Sequence, residues 1–224
     1  GTHAAAAYDL EERMEGREPN TTESEQRGIQ ALEDDIQDGV TWDETSPNLS
    51  TAQKQVIRQA KQYRSDVVPT TQPVAVEQRY KATTPGGRTL TGQSDLLDQA
   101  MLRDTKTGKI QRVNLAQYGG YSLLLKSNGL RVDRIGEDFI QRVRIREPQP
   151  PVATKEYPVA QAERVAYGII QAMEADLDQF EADGTPQAFL ANPASMLCSP
   201  EYCPAFGTAF CPESQYHPKH ETED

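Results

Sequence analysis

Residues 92–121 read GQSDLLDQAMLRDTKTGKIQRVNLAQYGGY. Apolar runs interrupted by polar residues and closed by a Thr-Gly turn predict two strands here, at about 88–96 and 99–105. After the turn, Asn114 can cap a helix that continues to Asn128, where a glycine follows. The stretch therefore predicts neighbouring strands followed by a helix, as expected when a helix packs on a sheet.

The rest of the chain extends this pattern in both directions. Residues 74–81 alternate between apolar and polar and lead into a Pro-Gly-Gly turn, so they predict a strand that pairs with 88–96 as a hairpin. Periodicity predicts further helices at about 1–15, 22–38, 51–63 and 159–182. It also predicts strands at 131–135 and 139–145. We therefore expect an α/β fold in which a central mixed β-sheet is flanked by helices.

Composition limits the size and the location of the protein. The 224 residues, 36% of them hydrophobic, suffice for one core but not for two large domains. No apolar run reaches the roughly 18 residues of a membrane span, and residues 4–7, all alanine, are too few for the core of a signal peptide. We therefore expect no membrane segment and a cytoplasmic protein of a bacterium or a phage-infected host cell.

Charge is distributed unevenly along the chain, whose net charge is −11. Residues 51–147 hold 17 bases and 9 acids, whereas residues 1–50 hold 13 acids and 3 bases and residues 148–224 hold 12 acids and 3 bases. A basic segment between acidic ones can form a local track for phosphates. Charges scattered over solvated helices would give the same counts, so the pattern alone leaves both interpretations open.

Two acids and a lysine stand near the ends of the predicted strands. Asp95 and Asp104 fall on neighbouring strands, so their side chains could converge at the end of the sheet, and Lys106 shares a strand face with Asp104. Carboxylates so placed can hold Mg²⁺ or Mn²⁺ beside a phosphodiester, while an ammonium group orients the attacking water. By itself, an Asp-x-Lys before a turn is more often an exposed hairpin end.

Gln117 and Tyr121 lie four residues apart on the following predicted helix and therefore on one face of it. A tyrosine can stack on a base, and an amide can bond a phosphate or a sugar. The alternative is a tyrosine anchored in the core beside a glutamine that faces solvent. Their position just after the acids favours contact with the same substrate.

The order of these motifs resembles the PD-(D/E)XK nuclease superfamily and, within it, the RecB-like exonucleases of phages and CRISPR systems. The resemblance is carried by four motifs: Gly1-Thr2-His3 opening a helix, Gly92-x-x-Asp95, Asp104-Thr105-Lys106-Thr107-Gly108 and Gln117-x-x-x-Tyr121. It implies a restriction-endonuclease-like core. Because the chain opens without a methionine and inside a predicted helix, we also expect that it lacks an N-terminal segment.

The resemblance implies roles for five residues of the first three motifs. His3, Asp95 and Asp104 would be ligands of Mg²⁺ or Mn²⁺, together with the main-chain carbonyl of Thr105. Lys106 would be the catalytic lysine, acting with the two aspartates. The proposed active site therefore draws on a helix and two strands.

Two further assignments concern the surroundings of this site. Gln117 and Tyr121 match the helix that positions the substrate in the family. Glu77 lies on the strand before the second motif, where it could assist the site or be an ordinary solvated strand glutamate. The sequence leaves these two interpretations of Glu77 open.

Cys198, Cys203 and Cys211 lie within 14 residues of each other in a chain with no other cysteine. Their density favours a soft-metal site over a disulfide framework. The resemblance implies a [4Fe-4S] cluster whose fourth cysteine belongs to the missing N-terminal segment. The spacing is wider than the usual family pattern, which leaves Zn²⁺ completed by His217 or His220, or three free cysteines, as alternatives.

The sequence therefore predicts a metal-dependent DNA exonuclease that acts on single strands or duplex ends in recombination, repair or phage and defence DNA processing. A helicase or a recombination protein is a candidate partner. We expect a nuclease domain at 1–197, with core motifs at 74–128, and a cysteine-containing metal-binding tail at 198–224. The alternative is a catalytically silent nuclease fold that binds DNA or a partner and carries a structural metal.

Overall fold

The computed structural model describes residues 1–37, 39–184, 198–200, 202–203, 205–208 and 211. The chain divides into two units, Gly1–Tyr167 and Gly168–Asp224. All strands of the described residues belong to the first unit. The expected boundary between a nuclease domain and a tail at residue 198 stays a prediction.

Five α-helices, a short 3-10 helix (Val68–Thr70) and five strands make up the described elements. The helices are α1 (Thr2–Met14), α2 (Thr21–Asp35), α3 (Leu49–Asp66), α4 (Leu115–Ser127) and α5 (Val159–Asp183). The strands are β1 (Pro73–Thr83), β2 (Thr89–Asp98), β3 (Met101–Gly108), β4 (Arg134–Gln141) and β5 (Ala153–Tyr157). Asparagine side chains cap α2, α3 and α4, because Asn20, Asn48 and Asn114 each accept a hydrogen bond from a first-turn amide.

The strands form one mixed sheet in the order β1-β2-β3-β4-β5. Antiparallel pairing joins β1 to β2, β2 to β3 and β4 to β5, whereas β3 and β4 are parallel. Parallel neighbours need a crossover connection, and α4 lies in the segment that supplies it. The predicted mixed sheet with flanking helices is confirmed.

Each face of the sheet has its own apolar cluster. On one face, Ala6 and Leu10 of α1 and Tyr63 of α3 pack with strand residues that include Leu96. On the other face, the cluster joins α4 and the start of α5 to the neighbouring strand residues, including Leu97. Because successive strand residues point to opposite faces, α1 and α3 lie on one side of the sheet and α4 on the other.

One strand replaces the two that the sequence predicts after α4. The predicted strands at 131–135 and 139–145 are wrong, because β4 runs without a break from Arg134 to Gln141. Glu137 and Asp138 interrupt the apolar pattern of the sequence there, yet both are fully buried. Their burial is possible because each carboxylate receives hydrogen bonds from neighbouring elements.

Strand β5 is absent from the sequence-based prediction, and the reason is its composition. Four of its five residues are exposed, so no apolar alternation marks it as a strand. In the part of the chain that the structure describes, no helix combines the length and the apolar character needed to cross a bilayer.

Candidate active site

Strands β2 and β3 separate at the level of the two predicted aspartates. Their ladder runs from the pair Asp98–Met101 to the pair Leu96–Arg103 and ends there. Beyond it, the Thr105 amide donates a hydrogen bond of 2.7 Å to the side-chain Oδ2 of Asp95 on β2. The N–H and C=O of one strand residue point to the same side, so the Thr105 carbonyl also points into this gap.

Asp104 is buried in this gap, with only 1% of its side chain exposed. Lys106 Nζ forms an ion pair with Asp104 Oδ2 at 2.7 Å. Among the described residues, neither oxygen has a partner in hydrogen-bond geometry, so Oδ1 lacks any polar partner there. Burial and the nearby Asp95 carboxylate raise the pKa of Asp104 to about 6, against the opposing effect of Lys106. A buried carboxylate oxygen without a donor is costly unless a cation or a proton satisfies it.

His3 and Asp95 meet at the same point, although α1 packs on the face of the sheet opposite α4. His3 Nδ1 lies 3.6 Å from Asp95 Oδ2. Burial raises the pKa of Asp95 to about 6. The hydrogen bond from the Thr105 amide lowers this pKa, and the Glu77 carboxylate raises it. Burial also lowers the pKa of His3, which favours the neutral imidazole, the form that binds metals.

Glu77 joins this cluster. It lies across from Asp95, since the residues on either side of it pair with Leu96 and Ser94. One ligand atom each from His3, Glu77 and Asp95 lie within 4.8 Å of one another. The sequence leaves two interpretations of Glu77 open. This geometry agrees with the one that places Glu77 beside the site.

Helix α4 brings Gln117 and Tyr121 to the same face of the sheet as the two aspartates. Gln117 Nε2 donates a hydrogen bond of 3.0 Å to the Tyr121 hydroxyl. The helix approaches β2 closely at Gly92, where an added Cβ would lie 3.1 Å from Tyr121 Cε1 and 2.8 Å from Leu124 Cδ1. The glycine of the second motif therefore allows the tyrosine of the fourth motif to lie against β2.

Glu137 is a buried residue of this region that sequence reasoning misses. It stands beside Asp104 in the parallel register of β3 and β4 and is fully buried. Its carboxylate accepts hydrogen bonds from Gln111 Nε2 at 2.6 Å and from the Tyr118 hydroxyl of α4. The signal in the sequence is a pair of adjacent acids, Glu137 and Asp138, between apolar residues of β4.

A second buried network lies on the opposite face of the same strands. Arg103 donates to both carboxylate oxygens of Asp138, at 2.8 and 2.7 Å, and the Thr154 hydroxyl donates to Asp138 at 2.6 Å. Two-point pairing of this kind satisfies both buried charges. It ties β3, β4 and β5 together directly behind Asp104.

The three cysteines belong to the second unit and are all half-buried free thiols. Burial raises the pKa of the Cys198 thiol, and Cys211 and Cys203 raise it further. His217 and His220 lie outside the described residues. The [4Fe-4S] cluster and the zinc alternative both stay predictions.

The residues around Asp104 fit a divalent cation of the Mg²⁺ or Mn²⁺ type. Asp95 and Asp104 supply carboxylate oxygens, the Thr105 carbonyl points into the same gap, and His3 adds a neutral imidazole. Hard divalent cations prefer oxygen ligands of this kind, and Mn²⁺ also accepts imidazole. The Asp104 oxygen without a partner is the atom that a cation would satisfy.

Comparison with known proteins identifies a family for most of the chain. The family model described as PD-(D/E)XK nuclease superfamily matches residues 2–209. No curated protein matches the chain. The crystal structure of a "Putative exonuclease" from Eubacterium rectale resembles it with a TM-score of 0.45 and 9% sequence identity, over 76% of this chain and 65% of that one. This chain thus spans less than two thirds of that protein, and so weak a likeness bears on neither substrate nor mechanism.

Proposed function

The chain belongs to the PD-(D/E)XK nuclease superfamily, and on that premise we propose that it is a metal-dependent DNA exonuclease. The observation that carries the proposal is Asp104, a buried carboxylate with one unpartnered oxygen, paired with Lys106 and close to Asp95. A purely structural aspartate would have its buried oxygens satisfied by donors. This arrangement is suited to binding a cation and a phosphate.

Mg²⁺ or Mn²⁺ is the proposed cofactor. His3, Asp95, Asp104 and the Thr105 carbonyl would hold it. When bound, such an ion stabilises negative charge on the phosphate and makes a water molecule more acidic. The fold contributes by burying Asp104 and by keeping β2 and β3 apart at this level.

Lys106 is the proposed group that meets the reacting water. Its side chain is 31% exposed, so its ammonium is accessible from solvent while it pairs with Asp104 at 2.7 Å. From there it can orient the water and stabilise the charge that develops on the phosphate in the transition state. Removal of this charge should lower the rate more than it lowers the affinity for the cation.

Gln117 and Tyr121 are the proposed substrate-positioning pair. Their mutual hydrogen bond fixes the two side chains relative to each other. The amide can then bond a phosphate or a sugar, and the tyrosine ring offers a surface for a base. The basic segment 51–147 supports DNA as the substrate, because phosphates are attracted locally even though the whole chain is acidic.

Action at DNA ends is supported by the resemblance of the motif order to the RecB-like exonucleases. Single strands or duplex ends are the proposed substrates, in recombination, repair or phage and defence DNA processing. The test uses linear single-stranded DNA, linear duplex and closed single-stranded circles, each labelled and incubated with Mn²⁺. We expect the linear molecules to be degraded and the circles to survive. Cutting of the circles would contradict the exonuclease assignment.

Matched variants connect this activity to the site. Lys106→Met should lose at least about 100-fold in rate, as is typical when a charge-stabilising group is removed. Lys155→Met removes an exposed lysine of β5 that lies outside the basic segment 51–147, and it should leave the rate unchanged. Equal rates for both variants would rule out the proposed active site. Binding of DNA by the wild type without cleavage would support the silent nuclease fold instead.

A further inference from the structure

Glu77 has an unusual backbone conformation for a residue in the middle of a strand. Its φ is 45°, in the left-handed region, which side chains with a Cβ seldom occupy. The other non-glycine residue with positive φ among those described is Gln99, which lies between β2 and β3, where a tight turn commonly uses that conformation. No turn explains Glu77, so the fold maintains a strained conformation inside β1.

This conformation keeps Glu77 close to a second acid. Glu77 and Asp95 face each other across an antiparallel pair, where like charges repel. Their carboxylate oxygens and a nitrogen of His3 nevertheless lie within 4.8 Å of one another. Gln93 Nε2 holds one oxygen of Glu77 at 2.8 Å, which fixes the carboxylate in this position.

Asp104, on the neighbouring strand, provides independent support for a cation at this end of the sheet. Its side chain is 99% buried and its Oδ1 has no hydrogen-bond partner in the described part of the chain. Two acids thus lie beside His3, and a third, Asp104, lies on the neighbouring strand, where Lys106 is the ammonium that pairs with it.

We propose that Glu77 is a further ligand of the divalent cation, beside His3, Asp95 and Asp104. This inference rests on the proposed function, because it concerns the same cation site. A donor set of one imidazole and three carboxylates fits Mn²⁺ well, since Mn²⁺ accepts both ligand types. A bound cation would attract both carboxylates and offset the repulsion between them. This attraction explains why the fold retains the strained conformation of Glu77.

The test measures Mn²⁺ binding directly, without DNA or activity. The chain is stripped of metal with EDTA, dialysed and titrated with MnCl₂, while the electron paramagnetic resonance signal of free aqueous Mn²⁺ is followed. Glu77→Gln keeps the size of the side chain and removes its charge. We expect its dissociation constant for Mn²⁺ to be at least about tenfold higher than that of the wild type.

Two further variants keep the test decisive. Glu156→Gln removes a glutamate of β5 that pairs with Arg134 of β4, and it should bind Mn²⁺ like the wild type. Glu77→Gly tolerates the positive φ and also lacks the ligand, so it decides the result if Glu77→Gln fails to fold by circular dichroism. Wild-type affinity in a folded Glu77 variant would overturn the proposal. Failure of the wild type itself to bind Mn²⁺ would instead overturn the proposed metal site as a whole.

Discussion

Asp104 illustrates at the residue scale how a functional group opposes stability. The side chain is 1% exposed, so the charged carboxylate has lost its hydration, and one oxygen gains no protein donor in return. The pKa of Asp104, about 6, is raised because ionising this buried carboxyl group costs free energy. Because the folded pKa exceeds that of the unfolded chain, the metal-free protein should lose stability as the pH rises from about 4 through 6.

Asp104→Asn should therefore stabilise the metal-free protein and abolish its function. We expect a gain of roughly 1–3 kcal/mol in the free energy of unfolding at pH 7.5, and little gain at pH 4, where the wild-type acid is protonated. The measurement is chemical denaturation in EDTA at both pH values. Cleavage and the increase in melting temperature caused by Mn²⁺ should both disappear. A variant less stable than the wild type at pH 7.5 would contradict this account of Asp104.

At the element scale, the site depends on how α4 lies on the sheet. Gly92 lets the helix approach β2, and Glu137 of β4 accepts a hydrogen bond from Tyr118 of the same helix. Gly119 brings α4 even closer to α5, since an added Cβ would lie 2.0 Å from the carbonyl oxygen of Ala162. The helix is therefore held on three sides, and small changes at these contacts should move Tyr121.

Gly92→Ala should displace α4, because the new methyl group would lie 2.8 Å from Leu124 and 3.1 Å from Tyr121. We expect a KM for DNA several-fold higher and a destabilisation of roughly 1–3 kcal/mol. Gly120→Ala is the matched control, since a Cβ there meets no atom within 4 Å and alanine favours a helix. Steady-state kinetics and denaturation compare the two. Equal effects of both substitutions would contradict the close approach at Gly92.

Tyr118→Phe should leave one oxygen of the buried Glu137 without its donor. The expected cost is roughly 1–3 kcal/mol of stability, with a higher KM because α4 loses its anchor to β4. Tyr157→Phe is the control, since the buried Tyr157 hydroxyl has no hydrogen-bond partner among the described residues, and its removal should cost nothing. Urea denaturation of both variants checks this. A Tyr157→Phe cost as large as that of Tyr118→Phe would refute the assignment.

At the scale of the whole molecule, distant segments of the chain are joined by charged contacts around the sheet. Asp43, between α2 and α3, accepts hydrogen bonds from the amides of Thr45 and Ser46. It also pairs with Lys109 at 3.1 Å and with Arg142 at 2.9 Å. These contacts fasten the connection between two helices to the ends of β3 and β4. They hold the pKa of Asp43 at about 2.

Asp43→Asn should destabilise the protein in a way that depends on pH. The folded pKa lies below that of the unfolded chain, so the charged carboxylate contributes stability above about pH 4, and the contribution is lost as the pH falls through 2. Melting temperatures between pH 2 and pH 7 should therefore show a gap between variant and wild type that closes in acid. Because the side chain is partly exposed, the gap should shrink with added salt. A gap independent of pH would exclude the ionic explanation.

The candidate site could be predicted from the sequence as far as local patterns extend. Asp104 and Lys106 share a strand face through period-two alternation, and Gln117 and Tyr121 share a helix face through their spacing. Glu137 could not be found in this way. Its partners, Tyr118 and Gln111, are distant in sequence, so only the packed sheet shows that its charge is buried and satisfied.

Short-range periodicity, capping and turn residues were enough to predict the helices, the hairpin of β1 and β2, the strand–strand–helix order after it and the residues with suitable chemistry. The tertiary structure decided the single strand β4, the edge strand β5 and the meeting of His3 and Glu77 with Asp95. Those features depend on contacts between segments far apart in the chain. Burial and backbone strain, which single out Asp104 and Glu77, are properties of the folded molecule, so no local pattern encodes them.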